Sequence, residues 1–71
     1  MAKFYSIYVG IYDTPKIPKE DVKKLNNLGL KAYIFSTSKG YSLKVYTTPD
    51  LNMANMMIAN LKNYGFDAWM E

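Results

Sequence analysis

The first part of the chain, from residue 4 to residue 12, has aliphatic side chains at every second position, Ile7, Val9 and Ile11, between aromatic, small and polar ones. This period of two predicts a half-buried β-strand. After a loop with two prolines, the apolar positions of residues 22–28 recur with the spacing of one helix face, and Gly29 is a natural helix terminator. A second alternating segment over 30–37 predicts another strand.

The second part of the chain has the same order of elements. A turn at 38–40 leads into a strand pattern over 41–47, a helical segment over 51–64 that ends at Gly65, and a last strand over 66–70. The predicted fold is therefore α+β with the ferredoxin-like order βαββαβ, in which two helices cover one face of a four-stranded antiparallel sheet. We expect the first and third strands at the centre of that sheet.

The two halves also match residue by residue. Gly29 and Gly65 are 36 positions apart, and at the same offset LNNLGLKAYI over 25–34 matches LKNYGFDAWM over 61–70. Two copies are too few for a solenoid, so they favour a single domain with an internal pseudo-twofold repeat. The predicted limits are 1–71 for the domain and approximately 4–35 and 40–71 for the repeat units.

Strand alternation divides the predicted sheet into a face under the helices and an open face. The predicted core consists of the apolar strand face and the helix residues that pack on it: Tyr5, Ile7, Val9, Ile11, Leu30, Ala32, Ile34, Tyr41, Leu43, Val45, Thr47, Phe66, Ala68 and Met70, with Val22, Leu25, Leu28, Leu51, Ala54, Met57, Ile58 and Leu61. The open face collects most aromatic residues: Phe4, Ser6, Tyr8, Gly10, Tyr12, Tyr33, Phe35, Ser42, Lys44, Tyr46, Asp67 and Trp69. Such a surface is typical of an interaction site, because aromatic rings with polar neighbours stack on sugars, bases or other proteins.

The residues alone also allow the aromatic face to be purely structural or to be buried against protein. Aromatic side chains are good strand formers, and their cross-strand pairs stabilise a sheet without any ligand. A homodimer or a contact with a parent domain would bury the same face. The methionine-rich segment over 53–60 raises a similar choice, since core packing accounts for it best and a partner helix against Met53, Met56 and Asn60 is the alternative.

Composition removes several kinds of chemistry. The 71 residues contain no Cys and no His, and all nine positive charges are Lys, which gives a net charge of +3. Disulfides, thiol catalysis and the commonest metal ligand are thereby excluded. Asp13 and Asp50 lie in the loops before the two helices, where a turn and a helix cap explain them better than a catalytic pair. We predict that the protein is not an enzyme and uses no cofactor or metal.

Nucleic acid and membrane are not the partners that the pattern favours. The RNA-recognition motif shares the βαββαβ order, but its third strand carries a basic, glycine and aromatic signature that GYSLKVYT lacks. Lysines beside aromatic rings could still hold a single strand. The apolar runs are far shorter than the roughly 20 residues of a membrane helix, and the N-terminal residues lack the pattern of a signal peptide. The modest positive charge favours anionic surroundings.

The ordered set YVGIY (8–12), LNNLGLKAYI (25–34), YSLKVYT (41–47) and ANMMIANLKNYGFDAW (54–69) resembles the SPOR peptidoglycan-binding domain over nearly the whole chain. More narrowly, the chain looks like the C-terminal cell-wall-binding domain of clostridial phage endolysins, and its Lys- and Tyr-rich composition without Arg fits a low-GC genome. The resemblance implies a module that binds bacterial cell-wall glycan on the open sheet face and accompanies a catalytic hydrolase domain. The glutamine usual in the first SPOR strand falls at Tyr8, and the basic residue of the third strand falls at Ser42.

The predicted function is therefore a non-catalytic cell-wall binding module, for peptidoglycan or a secondary wall glycan, that targets a phage lysin-type hydrolase. Such a module is expected to be made in the host cytoplasm and to act at the bacterial cell wall. The expected ligand-binding residues are Tyr8, Tyr33, Tyr46 and Trp69 for stacking on sugars, with Ser42 and Lys44 for hydrogen bonds or wall anions. The competing hypothesis is a protein-interaction or oligomerisation module that uses the same aromatic face, for example in a homodimer.

Overall fold

The computed structural model of the protein describes residues 3–71 and has the predicted α+β architecture. Its elements follow in the order β1 (Tyr5–Tyr12), α1 (Lys19–Asn27), β2 (Tyr33–Thr37), β3 (Gly40–Thr48), α2 (Leu51–Asn63) and β4 (Ala68–Met70). All strand pairs are antiparallel, and the sheet order β2-β3-β1-β4 places β1 and β3 at the centre. Two helices with a four-stranded antiparallel sheet are consistent with a ferredoxin-like arrangement. Among residues 3–71, neither helix has the length and hydrophobicity that crossing a membrane requires.

The hydrophobic core lies between the helices and one face of the sheet. Its fully or nearly buried side chains come from three strands and both helices: Ile7, Val9, Leu43, Val45 and Ala68, with Leu25, Ala54 and Leu61. All of them belong to the predicted core, so the assignment of this face to the helices is confirmed. The small residues Ala54 and Ala68 allow close approach where α2 packs on β4.

The two helices begin differently. The carboxylate of Asp50 accepts hydrogen bonds from the backbone N–H of Asn52 at 2.9 Å and of Met53 at 3.2 Å, which caps α2. This is the structural role that was predicted for Asp50 in preference to catalysis, since an acidic cap satisfies otherwise unpaired N–H groups. Pro18 precedes α1 without a side-chain cap. Proline fits that position because its fixed φ suits the entry to a helix.

Both helices end on the same hydrogen-bond pattern. The N–H of Leu30 donates to the carbonyl of Leu25 at 3.0 Å, and the N–H of Phe66 donates to the carbonyl of Leu61 at 3.0 Å. The glycine before each donor has a φ of +80° or +93°. Glycine adopts this left-handed conformation without the strain that a Cβ would bring, so both predicted helix terminators are confirmed.

A β-bulge interrupts the alternation of β1 at Gly10. Between its last two pairs with β3, β1 has one residue more than its partner strand, and Gly10 lies there with a φ of +77°. Beyond the bulge, Ile11 is half exposed, whereas Tyr12 packs against the core. The predicted faces of Ile11 and Tyr12 are therefore wrong, because one extra residue turns the rest of the strand over.

A second bulge lies in β3, where Val45 is the extra residue between two successive pairs with β1. Tyr46 is opposite Ile7 and packs against the core. Thr47 is exposed and Thr48 is buried. The alternation beyond Val45 is thus the reverse of the prediction, which placed Tyr46 on the open face and Thr47 in the core.

Two further residues of the predicted core are half exposed, Ile34 and Leu51. Ile34 is opposite Leu43 on the helix side of the sheet. However, α1 has 9 residues and α2 has 13, so the shorter helix covers less of its edge strand. Met70, on the opposite edge strand, is partly buried and packs against the core. Leu51 is the first residue of α2, at the rim of the core.

The methionines of α2 do not share one environment. Met57 packs against the core, whereas Met53 and Met56 are exposed. Core packing therefore accounts for Met57 and is wrong for the other two. Their side chains lie on the solvent side of the helix, where the alternative interpretation expected a partner.

Candidate functional site

Four of the predicted site residues form one row across the open face of the sheet. Tyr33 is opposite Lys44. Lys44 is in turn opposite Tyr8, and Tyr8 is opposite Trp69. Because neighbouring strands are about 4.8 Å apart, the row crosses all four strands and spans about 14 Å. These four residues are called the cross-strand row below.

Two aromatic rings of the row, those of Tyr8 and Trp69, contact each other, and Tyr8 also contacts Phe35. The ring centroids of Tyr8 and Trp69 are 6.2 Å apart, with an angle of 23° between the ring planes. Those of Tyr8 and Phe35 are 6.4 Å apart in an edge-to-face arrangement at 77°. Both arrangements are favourable for aromatic pairs. Tyr8 is therefore held by a ring on each side, at the centre of a continuous apolar surface.

Two lysines place their ammonium groups on this aromatic surface. Lys44 Nζ lies 5.1 Å from the centroid of the Phe35 ring, and Lys39 Nζ lies 4.5 Å from that of Trp69. Both distances are within the roughly 6 Å over which a cation is attracted to an aromatic ring. The surface thus combines apolar rings with positive charges on both sides of Tyr8. This combination suits a ligand that has apolar faces and negative groups.

The turn between β2 and β3 reaches across the open face to the C-terminal end of β4. Ser38 Oγ donates a hydrogen bond to Glu71 Oε1 at 2.8 Å, and the adjacent Lys39 lies over Trp69. The turn therefore covers one end of the row. The indole N–H of Trp69 is buried and has no hydrogen-bond partner in residues 3–71. An unsatisfied buried donor costs about 1–3 kcal/mol.

Two predicted site residues do not belong to the row. Ser42 is 0% exposed, and its Oγ lies 3.5 Å from Oγ1 of Thr37. Tyr46 packs on the helix side because of the bulge at Val45. The expectation that Ser42 and Tyr46 are accessible on the open face is therefore wrong. Binding by the four residues of the row stays a prediction.

Phe35 and Lys39 belong to the surface but were not among the predicted site residues. Phe35 was assigned to the open face by alternation, and its place two residues after Tyr33 was a usable signal. Lys39 lies in the turn SKG, and nothing in the sequence indicates that this turn folds over β4.

A concavity lies away from the row, on the helix side. Its volume is about 340 Å³, and it is lined by Leu28, Leu30, Met57, Asn60, Leu61 and Tyr64. No residue of the cross-strand row lines this concavity. A row on the surface of a sheet suits an extended ligand better than a small molecule, which normally occupies a concave pocket.

Acidic side chains are dispersed in the part of the chain that the structure describes. No group of three or more Asp, Glu, His or Cys residues in 3–71 is placed to hold a metal ion. Asp50 is engaged as the cap of α2. Tyr12 Oη donates to Asp21 Oδ2 at 2.6 Å, which links the end of β1 to the first turn of α1.

This Tyr12 contact gives the stability a pH dependence. Burial, followed by the hydrogen bond and the negative charge of Asp21, raises the pKa of Tyr12 well above its ordinary value. In the unfolded chain the phenol ionises near pH 10. Above that pH the unfolded state binds fewer protons than the native state, so the free energy of unfolding falls as the pH rises. Below that pH Tyr12 makes no contribution to the pH dependence of stability.

We expect Tyr12→Phe to reduce this alkaline loss of stability. Urea unfolding of both proteins at about pH 9 and about pH 11 measures the loss of stability between the two conditions. Lysines titrate equally in both proteins, so their effect cancels when the two losses are compared. The wild type should lose more stability than the variant between the two conditions. Equal losses would show that Tyr12 is not held protonated in the native state.

Comparison of the chain with protein-family models, with characterised proteins and with solved structures gives no match in any of the three. The function is therefore inferred from the geometry of the open face and from the resemblance carried by the sequence.

Proposed function

We propose that the protein is a non-catalytic module that binds bacterial cell-wall glycan, either peptidoglycan or a secondary wall glycan, and targets a phage lysin-type hydrolase to the wall. The observation that carries the proposal is the cross-strand row, in which three aromatic residues and one lysine lie in register on a flat sheet face. The resemblance to SPOR domains and to endolysin binding domains is the reason for choosing wall glycan among sugars. Such a module is made in the host cytoplasm and acts at the wall.

The chemistry of the row fits a carbohydrate. A sugar ring has an apolar face of C–H groups and a rim of hydroxyl groups, and some wall sugars also carry acidic substituents. Aromatic side chains stack on the apolar face, while ammonium groups contact the rim or its negative charges. Since strands are about 4.8 Å apart, successive side chains of the row are roughly one sugar ring apart. The row therefore suits several consecutive sugars of an extended strand.

We also propose that the domain is a ferredoxin-like duplication of one βαβ unit, with the units at approximately 4–35 and 40–71. Support comes from the strand registers. For several pairs, when both residues are exchanged for their equivalents 36 positions away in the other unit, the result is again an observed pair. Tyr8 and Lys44, which occupy equivalent positions in the units, are opposite each other at the centre. The further related pairs are Tyr5–Thr48 with Tyr12–Tyr41, Ile7–Met70 with Leu43–Ile34, and Tyr8–Trp69 with Lys44–Tyr33. On this proposal Tyr33 and Trp69 are equivalent aromatic ends of one pseudo-symmetric site.

Cosedimentation with purified cell walls tests the function. The protein is mixed with walls from several low-GC Gram-positive bacteria, and the fraction in the pellet is measured at low and physiological salt. We expect strong sedimentation with at least one wall. A basic protein of equal net charge serves as the control for simple attraction to wall anions, which salt screens. The absence of sedimentation with every wall would contradict the proposal.

A further inference from the structure

The free edge of the sheet at β2 carries three consecutive large hydrophobic residues that are all exposed. Tyr33 is 59% exposed, Ile34 is 49% exposed and Phe35 is 42% exposed. They lie on both faces of the strand, and among residues 3–71 β2 pairs with β3 alone. The other edge strand, β4, is only three residues long. The long apolar edge of the sheet is therefore at β2.

Edge strands of soluble proteins are normally protected against pairing with another chain. The usual devices are an inward charge, a proline, a bulge or a very short strand. β2 reads YIFST and has none of them, and its register with β3 is regular throughout. An unprotected, uncharged edge with high β-propensity is a surface on which a further strand adds readily.

We infer that β2 pairs edge to edge with β2 of a second copy of this chain. Thr37 and Gly40 are opposite each other across a two-residue turn. In such a hairpin the closing residues exchange backbone hydrogen bonds, and the bonding direction then alternates along the strand. The N–H and C=O groups of Ile34 and Ser36 are consequently directed to the free edge. They are the groups that a second strand would satisfy.

One antiparallel register both pairs the free backbone groups and brings apolar side chains opposite apolar side chains. It places Ile34 opposite Ile34 of the second copy, at the twofold axis. Tyr33 then faces Phe35 of the second copy on the open side, and Lys31 faces Thr37. Residues directly opposite share a face of the sheet, so the register covers apolar groups with like groups on both faces. The self-complementarity of this edge is the reason for choosing a second copy as the occupant.

The charges near the ends of the strand favour this register over the one that is shifted by two residues. Shifting the pairing by two residues would place Phe35 at the axis and oppose Lys31 to Lys39 of the second copy, and like charges directly opposite are destabilising. The five residues of β2 on each side form a small interface. We therefore expect a dimer that depends on concentration and not an obligate one.

The pairing leaves Lys44, Tyr8 and Trp69 of the cross-strand row uncovered, while Tyr33 lies at the junction beside Phe35 of the second copy. A twofold axis perpendicular to the sheet keeps the two open faces on the same side of an eight-stranded sheet. Two rows can then bind the same polymer, and once one row has bound, the effective concentration of the polymer at the other row is raised. The dimer itself follows from the edge of β2 and does not depend on the proposed wall ligand.

Sedimentation velocity over a range of concentrations up to millimolar tests the inference on the full chain. The edge is altered in two ways: Ile34→Lys places a charge at the axis, and Ser36→Pro removes a backbone donor that faces the free edge. Each should raise the dimer dissociation constant at least about tenfold. Met56→Lys is the matched control, because Met56 is an exposed apolar residue on α2, and it should leave the dimer unchanged. Circular dichroism checks that every variant is folded.

Amide hydrogen exchange gives a second readout. In the wild type, the amides of Ile34 and Ser36 should become protected as the concentration rises, while Ile34→Lys should lose this dependence. A protein that is monomeric at all concentrations overturns the inference. So does a dimer that survives both edge substitutions, since its interface would lie elsewhere, for example on the aromatic face.

Discussion

Replacing Tyr8 and Trp69 by alanine together should abolish cosedimentation with cell walls while the circular dichroism spectrum stays native. Tyr8 contacts both neighbouring rings and stands at the centre of the cross-strand row, and Trp69 forms one end of it. Truncation of a central aromatic contact typically costs about 2 kcal/mol or more of binding free energy, or roughly thirtyfold in affinity. Because the two rings touch, the double variant measures their joint effect and not a simple sum.

Tyr64→Ala is the matched control for this loss. Tyr64 is also a surface tyrosine, 64% exposed, but it lines the groove on the helix side and not the open face. Its removal should leave wall binding unchanged. If Tyr64→Ala weakened binding as much as the changes at the row, the glycan site would lie on the helix side. Undiminished binding by the double variant would likewise remove the row from the site.

Leu25→Ala should destabilise the domain by about 2–5 kcal/mol, the range observed when a fully buried leucine is truncated. Leu25 is the only fully buried residue of α1, so it is the main anchor of that helix. The total stability of a domain this small lies toward the lower end of about 5–15 kcal/mol. A substantial fraction of the variant should therefore be unfolded near physiological temperature. Urea unfolding followed by circular dichroism measures the loss.

Leu61 and Leu51 provide the comparison on α2. Leu61 is 1% exposed and its carbonyl accepts the helix-closing hydrogen bond, as that of Leu25 does on α1. Leu61→Ala should therefore cost a similar amount. Leu51→Ala should cost less than about 1 kcal/mol, because the side chain is half exposed. A loss for Leu25→Ala no larger than that for Leu51→Ala would mean that α1 is not held to the sheet by this residue.

The fold was predictable wherever local pattern and tertiary structure agree. Gly29 and Gly65 ended the helices because the chain needs a left-handed residue there, and that need is visible in the sequence. The predictions failed after Gly10 and after Val45. Strict alternation assumes an unbroken pairing register, and a single extra residue in either strand reverses every position beyond it. The location of a bulge depends on the partner strand, which a local pattern does not contain.

The positions of the two bulges also explain which site residues were assigned to the correct face of the sheet. Tyr8 and Lys44 lie before the bulges, and Tyr33 and Trp69 lie on edge strands with regular registers, so alternation brought the row together. Tyr46 lies just beyond a bulge and was assigned to the wrong face. Ser42 has the expected alternation but is buried, because the side chain packs beside Thr37 near the turn. Burial by a turn is a tertiary effect and has no signature in the strand itself.

The strand order has a consequence for the time course of folding. In the part of the chain that the structure describes, β1 pairs only with β3 and β4, and β4 follows all the other elements in the sequence. During synthesis β1 therefore waits for β4 before its central position in the sheet is complete. Sheets built from such distant partners fold more slowly than helical domains of equal length. Until β3 has been synthesised, YSIYVGIY, an uncharged and β-prone segment, has neither of its partner strands, and one side of it stays unpaired until β4 follows. Chaperone binding and aggregation compete with folding of this domain mainly during that interval.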